Sequence, residues 1–305
     1  MTQQTVHTLS NDVLRLEVAP GIGAGIVNLQ VRVDADWQPL LRFTSPETLA
    51  KGTSSGLASF TLAPFSNRIP GASFAFEGRT VTLRPTTPEG NAQHGDVRNR
   101  PHASVQVTDT RAEYFFDSRE VEDFNYPFAL TLRTVFELSG DTVTQTLEIT
   151  NVSGERAPFG FGLHPYFERH VAGAPDVEMS FSAAGYYPVG ESLIPQGGMQ
   201  PVPSELEFGE PRPIGAQQFN TLYGGVTGSA VLRYASTPYT VMIDSDPVFS
   251  HLVLFTPPDG SLAVEPVSHA TDAFNLHERG VPGVGFTALE SGETLRGSVR
   301  FQVSF

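Results

Sequence analysis

The residue whose setting most suggests proton transfer is a histidine in a shaped turn. His164 lies in residues 158–168, PFGFGLHPYFE, between a small apolar run and a Pro-Tyr-Phe turn. Glycine and proline fix a backbone there that regular structure would not need. Aromatic side chains on either side could shield the imidazole from bulk water. An imidazole placed this way exchanges a proton near neutral pH, and its neighbours tune when it does so. By itself the segment better fits a histidine that caps a strand or is hydrogen-bonded in the core. A carboxylate partner elsewhere would make the two an acid–base pair.

Three further segments join polar side chains to a constrained backbone. In residues 64–71, PFSNRIPG, Arg68 follows Asn67 and precedes Ile-Pro-Gly. An arginine held there presents a rigid fork of donors suited to hydroxyl pairs or carboxylates, or else a loop salt bridge. In residues 91–96, NAQHGD, His94 precedes Gly95 on a loop, where binding residues concentrate. In residues 262–275, LAVEPVSHATDAFN, Glu265 closes an apolar strand pattern and Pro266 is expected to end its pairing. A carboxylate at the end of a buried strand is partly desolvated, which raises its pKa and makes it a better base. The competing reading is an edge-strand glutamate in water. His269 and Asp272 could support such a site or be loop residues.

The elements that must hold these residues are strands. Phe128, Leu130, Leu132, Phe136 and Leu138 alternate with mostly polar neighbours, and Val143, Leu147 and Ile149 repeat the pattern after Ser139-Gly140-Asp141. This makes 127–150 a hairpin. Val299, Phe301, Val303 and Phe305 alternate at the C-terminus. Further strands are expected at 13–18, 25–33, 73–76, 79–84, 102–108, 112–117, 176–182, 229–234, 238–243, 251–256, 261–265 and 283–290. Only 47–51 and 217–223 read as short helices. The 24 prolines and 29 glycines punctuate the whole chain and do not cluster into a linker. The expectation is therefore an all-β protein, one large antiparallel β-sandwich domain over residues 1–305 with very little helix.

Composition narrows the function. The 305 residues carry a net charge of −14, which repels phosphate backbones and disfavours nucleic-acid or anionic-membrane partners. There is no cysteine, so disulfides, thiol catalysis and cysteine-bound zinc are ruled out. The N-terminal MTQQTVHTLSND has no apolar core of a secretory signal, and no apolar run reaches membrane-spanning length. A cytoplasmic location is the expectation.

Taken together, the four segments resemble the aldose 1-epimerase family, the galactose mutarotase-like proteins. The matching features are Asn67-Arg68-Ile69 with Gly71, Phe74, Phe76 and Gly78 after it, His94-Gly95, Tyr126 through Phe128, Asn151, and Pro158 through Phe167. Glu265 matches a late glutamate, and the order agrees from about residue 10 onward. The resemblance implies a β-supersandwich with a monosaccharide site on the concave face of one sheet. It implies His164 as general acid and Glu265 as general base, with Arg68, His94 and Tyr166 on the sugar. It implies no cofactor and no metal, and a monomer or homodimer. The reaction would be the exchange of α and β anomers by opening and closing the sugar ring.

Two departures fall on sugar recognition. Where the family commonly carries an aspartate, this chain reads FNTLYGG, which puts Asn220 there as an uncharged hydroxyl partner. Asp244 or Asp259 could serve instead. The His94 loop continues as DVRNRPH, with Arg98 and Arg100 where relatives place glycines and a tryptophan. Those arginines could favour an acidic or phosphorylated sugar. The rival readings are a hexose-phosphate mutarotase, a non-catalytic sugar-binding protein on the same fold, and a metal enzyme using His94, His164 and His102.

Overall fold

The computed structural model describes residues 4–171, 175–235 and 237–305. Along Leu130–Ser139 and Thr142–Asn151, the residues Leu130, Leu132, Phe136, Leu138, Val143, Leu147 and Ile149 are buried. This is the period of two that a pleated strand imposes. Gly140, at φ +58°, turns the chain between them, and the pairing runs from Leu130↔Asn151 to Ser139↔Thr142. Thr294–Ser304 adds to the other edge of Thr142–Asn151. Among the described residues these strands form the centre of a nine-stranded antiparallel sheet that runs from Ala103–Val107 at one edge to Arg212–Pro213 at the other.

A second sheet stacks on the first. Its described strands run in the order Gly185–Tyr187, Asn220–Gly224, His251–Phe255, Leu262–Val267, Gly162–Leu163 and Thr61–Leu62. Tyr166–Phe167 also pairs with Leu262–Val267. One face of this sheet meets the nine-stranded sheet. Phe167 lies 5.9 Å from Phe301 and Tyr223 lies 4.8 Å from Phe181, centre to centre. The buried Gln145 amide donates to Thr61 Oγ1 at 3.3 Å. A four-stranded N-terminal sheet, from His7–Ser10 to Asp36–Pro39, joins the second sheet through bridges at Ile26↔Ser59 and Leu41↔Phe167.

The helix expected over 47–51 forms as Pro46–Lys51. Ser45 Oγ accepts from the Thr48 N–H at its start, and Gly52, at φ +65°, closes its end. The helix expected over 217–223 does not form. Asn220–Gly224 is a strand held between Gly185–Tyr187 and His251–Phe255, so sheet pairing overrides local preference. Only Ala288–Leu289 of the 283–290 run is strand. A short helix, Ala273–Glu278, was not expected; it starts from Asp272 at φ +58° without a side-chain cap. Among the described residues no helix is long and apolar enough to cross a membrane.

The proline after Glu265 does not end the strand. Leu262–Val267 continues through Pro266, which faces Leu252. Val264 N–H donates to Pro165 and Ser268 N–H to Phe161, so the missing N–H of Pro266 points to the same neighbouring strand, between these two bonds. The ladder loses one rung there and keeps its register.

Three histidines buried outside the cavity described below limit the acid stability of the fold. Burial pulls His102 and His269 down to about 4 and His251 down to about 3. The unfolded chain takes up these protons at about 6.5. Their contribution is therefore fully present above the unfolded value and is lost as pH falls toward the folded values. A shift from 6.5 to about 4 corresponds to roughly 3 kcal/mol for one histidine. The unfolding free energy, measured by urea titration, is expected to fall by at least ~3 kcal/mol between about pH 7 and about pH 4.

Candidate active site

Strand register brings the two proposed catalytic residues together. Gly162 faces Val267 and Tyr166 faces Ala263, so His164 falls opposite Glu265. Both side chains point away from the nine-stranded sheet, as do Val253 opposite Glu265 and Asn220 opposite Phe255. On the other side, His164 N–H donates to Phe60 O. These residues floor a cavity of about 310 Å³ that Arg42, Asn67, Arg68, Gln93, His94 and Arg98 wall.

Apart from Arg42, two loops outside the sheet supply the wall. Asn67 and His94 both adopt left-handed backbone, at φ +54° and +63°. They are tied to each other: His94 N–H donates to Asn67 O at 2.8 Å, and Asn67 N–H donates to His94 Nδ1 at 3.2 Å. An accepting Nδ1 leaves the proton of the neutral ring on Nε2, as a donor for a hydroxyl. Arg68 donates through Nη1 to Asn67 Oδ1 and pairs along the backbone with Gln93. The buried His269 anchors the loop, accepting from Ser66 N–H on Nε2 and bonding Ala270 O through Nδ1. Gly95 lets the His94 loop pass against the segment that leads into Asn67. A Cβ there would lie 1.9 Å from Ala63 O.

At the floor, His164 Nε2 lies 3.2 Å from Glu265 Oε1 and 3.4 Å from the Tyr166 hydroxyl. His164 is 4% exposed and Glu265 2%. Phe60 and Tyr166 flank the imidazole at 4.7 and 4.5 Å between ring centres, and His94 meets it edge-on at 5.4 Å. Burial drives the Glu265 carboxyl well above the usual carboxylate range, against a lowering pull from Arg68. Burial drives His164 well below the usual imidazole value, aided by the charges of Arg42 and Arg98. His94 is lowered in the same way by burial, Arg98, His164 and Arg68. His164 Nδ1 and Glu265 Oε2 are buried without a hydrogen-bond partner.

The sequence of the chain matches the sequence model of the aldose 1-epimerase family over residues 5–302. The chain belongs to the aldose 1-epimerase family. The uncharacterised protein YphB of Escherichia coli (strain K12) is 28% identical over 318 aligned positions, covering 99% of both chains. A galactose mutarotase of Rattus norvegicus is 28% identical over 142 positions, covering 45% of this chain and 40% of that protein. The crystal structure of a candidate aldose 1-epimerase from Escherichia coli K12 superposes with a TM-score of 0.85 at 26% identity, covering 99% of each chain. The fold is that of the galactose mutarotase-like proteins.

In this member of the aldose 1-epimerase family, the cavity gathers all six residues expected to form a site: Arg68, His94, His164, Tyr166, Asn220 and Glu265. Asn220 lines the cavity. Asp244 instead pairs with Arg300 at 3.2 Å, and Asp259 with Arg42 at 2.9 Å, and neither lines it. The two loop arginines separate. Arg98 lines the cavity, whereas Arg100 is held by Asp96 and Asp123 at 2.6 and 2.8 Å. His102 packs on Phe116 outside the cavity. Among the described residues no group of three or more histidine, aspartate or glutamate side chains is placed to hold a metal ion. Arg42, Gln93 and Phe255 were not anticipated. Arg42 reaches the site because its neighbour Leu41 bridges to Phe167, a long-range pairing with no spacing signal in the sequence.

Proposed function

We propose that this chain interconverts the α and β anomers of an aldose, as one mutarotase domain, with His164 and Glu265 moving the two protons. The observation that carries this reading is the 3.2 Å contact of His164 Nε2 with Glu265 Oε1 at the floor of a sugar-sized cavity walled by Arg68 and His94. Glu265 takes the proton from the C1 hydroxyl. His164 delivers a proton to the ring oxygen as the C1–O5 bond breaks. The aldehyde turns about C1–C2, and closure on the other face reverses both transfers. The pair ends with the protons it began with, so the cycle needs no external reset. Arg68, His94, Asn220 and Tyr166 hold the hydroxyls and keep the open chain from leaving.

Catalysis then requires the pair to hold one proton. Burial favours the neutral partners, with the proton on Glu265; bound hydroxyls and the Arg68 charge favour the ion pair from which the forward step starts. Both forms carry the same single proton along the 3.2 Å contact. The second proton binds only below the ordinary histidine range, because His164 is lowered. The last proton leaves only above the ordinary carboxylate range, because Glu265 is raised. The acid limb of the kcat/KM profile is therefore expected below about 6.5, the value of an unperturbed histidine, and the alkaline limb above the ordinary carboxylate range.

NMR exchange spectroscopy or polarimetry on the purified protein with glucose, galactose, arabinose and xylose tests both points. Exchange above the spontaneous rate, with its acid limb below about 6.5, supports the reading. Spontaneous rates throughout the panel would sink it.

A further inference from the structure

The chain carries a net charge of −14, yet the cavity is basic. Its charged lining among the described residues is Arg42, Arg68, Arg98 and Glu265. Asp259 neutralises Arg42 at 2.9 Å. Arg68 and Arg98 have no carboxylate within 4 Å among the described residues, and Arg98 Nε is buried without a hydrogen-bond partner. Glu265 and Glu89 act on Arg68 from a distance, whereas a guanidinium with no paired carboxylate and a buried, unbonded Nε, as at Arg98, is unfavourable unless a ligand brings charge.

The placement of these groups is built. Arg98 stands over Phe60, with its guanidinium carbon 5.4 Å from the ring centre, and Phe60 packs on His164. Its backbone is pressed against Gly23, where a Cβ would lie 2.5 Å from Arg98 O. The Arg42 guanidinium carbon lies over Tyr166, 3.4 Å from the ring centre, and Tyr166 stacks on His164. Leu57 O fixes Arg42 through Nε and Nη2 at 3.0 and 2.8 Å. Both arginines therefore stand one aromatic ring away from His164.

We infer that the aldose accepted here carries an anionic group on C6, bound by Arg98 with Arg42 beside it. The inference rests on the mutarotase reading for its orientation. With C1 at Glu265 and the ring oxygen at His164, the C5 substituent lies next to the ring oxygen and so on the His164 side, where Arg98 and Arg42 stand. A phosphate and a carboxylate share the chemistry that a guanidinium fork recognises.

The test compares exchange of glucose, glucose 6-phosphate, glucuronate and the neutral methyl ester of glucuronate. At least one anionic sugar is expected to exceed both neutral ones in kcat/KM by roughly tenfold or more, the scale of one charge-assisted hydrogen bond. A response to the phosphate alone or to the carboxylate alone supports the inference and identifies the group. R98Q is expected to reduce the ratio of anionic to neutral kcat/KM by roughly tenfold, mainly through KM, and R98K to restore part of it. Equal kcat/KM for all four sugars, or a ratio unchanged in R98Q, would overturn it. If no sugar exchanges above the spontaneous rate, the mutarotase reading fails by itself. Calorimetric titration of the same sugars then decides: anionic sugars binding in preference to glucose sustain the inference, and no preference overturns it.

Discussion

E265Q is expected to lower kcat/KM for anomer exchange by roughly 10³-fold, about 4 kcal/mol of transition-state stabilisation. The amide keeps the shape of the side chain and its place opposite His164, but it cannot take the C1 hydroxyl proton. H164N is expected to lose a similar factor, because the ring oxygen then leaves without a proton. In the proposed mechanism the two residues act on one proton relay, so the E265Q/H164N double variant is expected to lose less than about tenfold beyond the weaker single variant. Two fully additive losses would show that they act separately.

Stability distinguishes this loss from misfolding. The buried Glu265 carboxyl holds its proton above the usual range. Its contribution is fully present below the unfolded value and is lost as pH rises through the folded one. Glutamine never ionises, so E265Q is expected to gain stability relative to the natural chain as pH rises, a trend that urea titration at several pH values reads directly.

G95A is expected to destabilise the fold by roughly 3–5 kcal/mol and to weaken sugar binding in whatever protein remains folded. The added Cβ would lie 1.9 Å from Ala63 O, 2.2 Å from Ala63 C and 2.7 Å from Pro64 N. All three are backbone atoms, so no rotamer change relieves the clash. The chain they belong to leads into Asn67 and Arg68, and the residue before Gly95 is His94. A Cβ at residue 95 therefore pushes apart the two loops that wall the cavity. G90A is the control. Gly90 is also left-handed, at φ +85°, but nothing lies within 4 Å of the added Cβ. It is expected to lose only about 1 kcal/mol, from backbone strain alone. A similar loss in both variants would mean that the close approach at Gly95 carries no weight. Urea midpoints with a common slope give the comparison.

The strands were legible because their burial is one-sided. Gly25–Val33, Leu130–Ser139 and Thr142–Asn151 alternate in sequence as they do in space. The residues that line the candidate site were legible where local constraint marks them: Asn67 and His94 both take left-handed backbone, and both lie in segments punctuated by glycine or proline. What stayed hidden depends on partners distant in the chain. Asn220–Gly224 is a strand because its neighbours pair with it, and no local pattern says so. Pro266 suggested a strand end because the effect of a missing N–H depends on where it points. Here it falls between the bonds from Val264 and Ser268 to the neighbouring strand, and the strand runs on. Arg98 and Arg100 are neighbours of one type in one loop, yet Asp96 and Asp123 claim one while the cavity takes the other. Side-chain partners of that kind exist only after folding.

The pairing of Gly162 with Val267 and of Tyr166 with Ala263 also bears on how the chain matures. No part of the proposed chemistry exists in a fragment or an early intermediate, because donor and acceptor come from strands far apart in sequence. Ladders between such distant segments close late, after their loop entropy has been overcome. A slip of one residue in this ladder would turn Glu265 to the opposite face. In a refolding experiment, recovery of anomer exchange would thus time the closure of that one ladder, and a chain trapped out of register would be compact but silent.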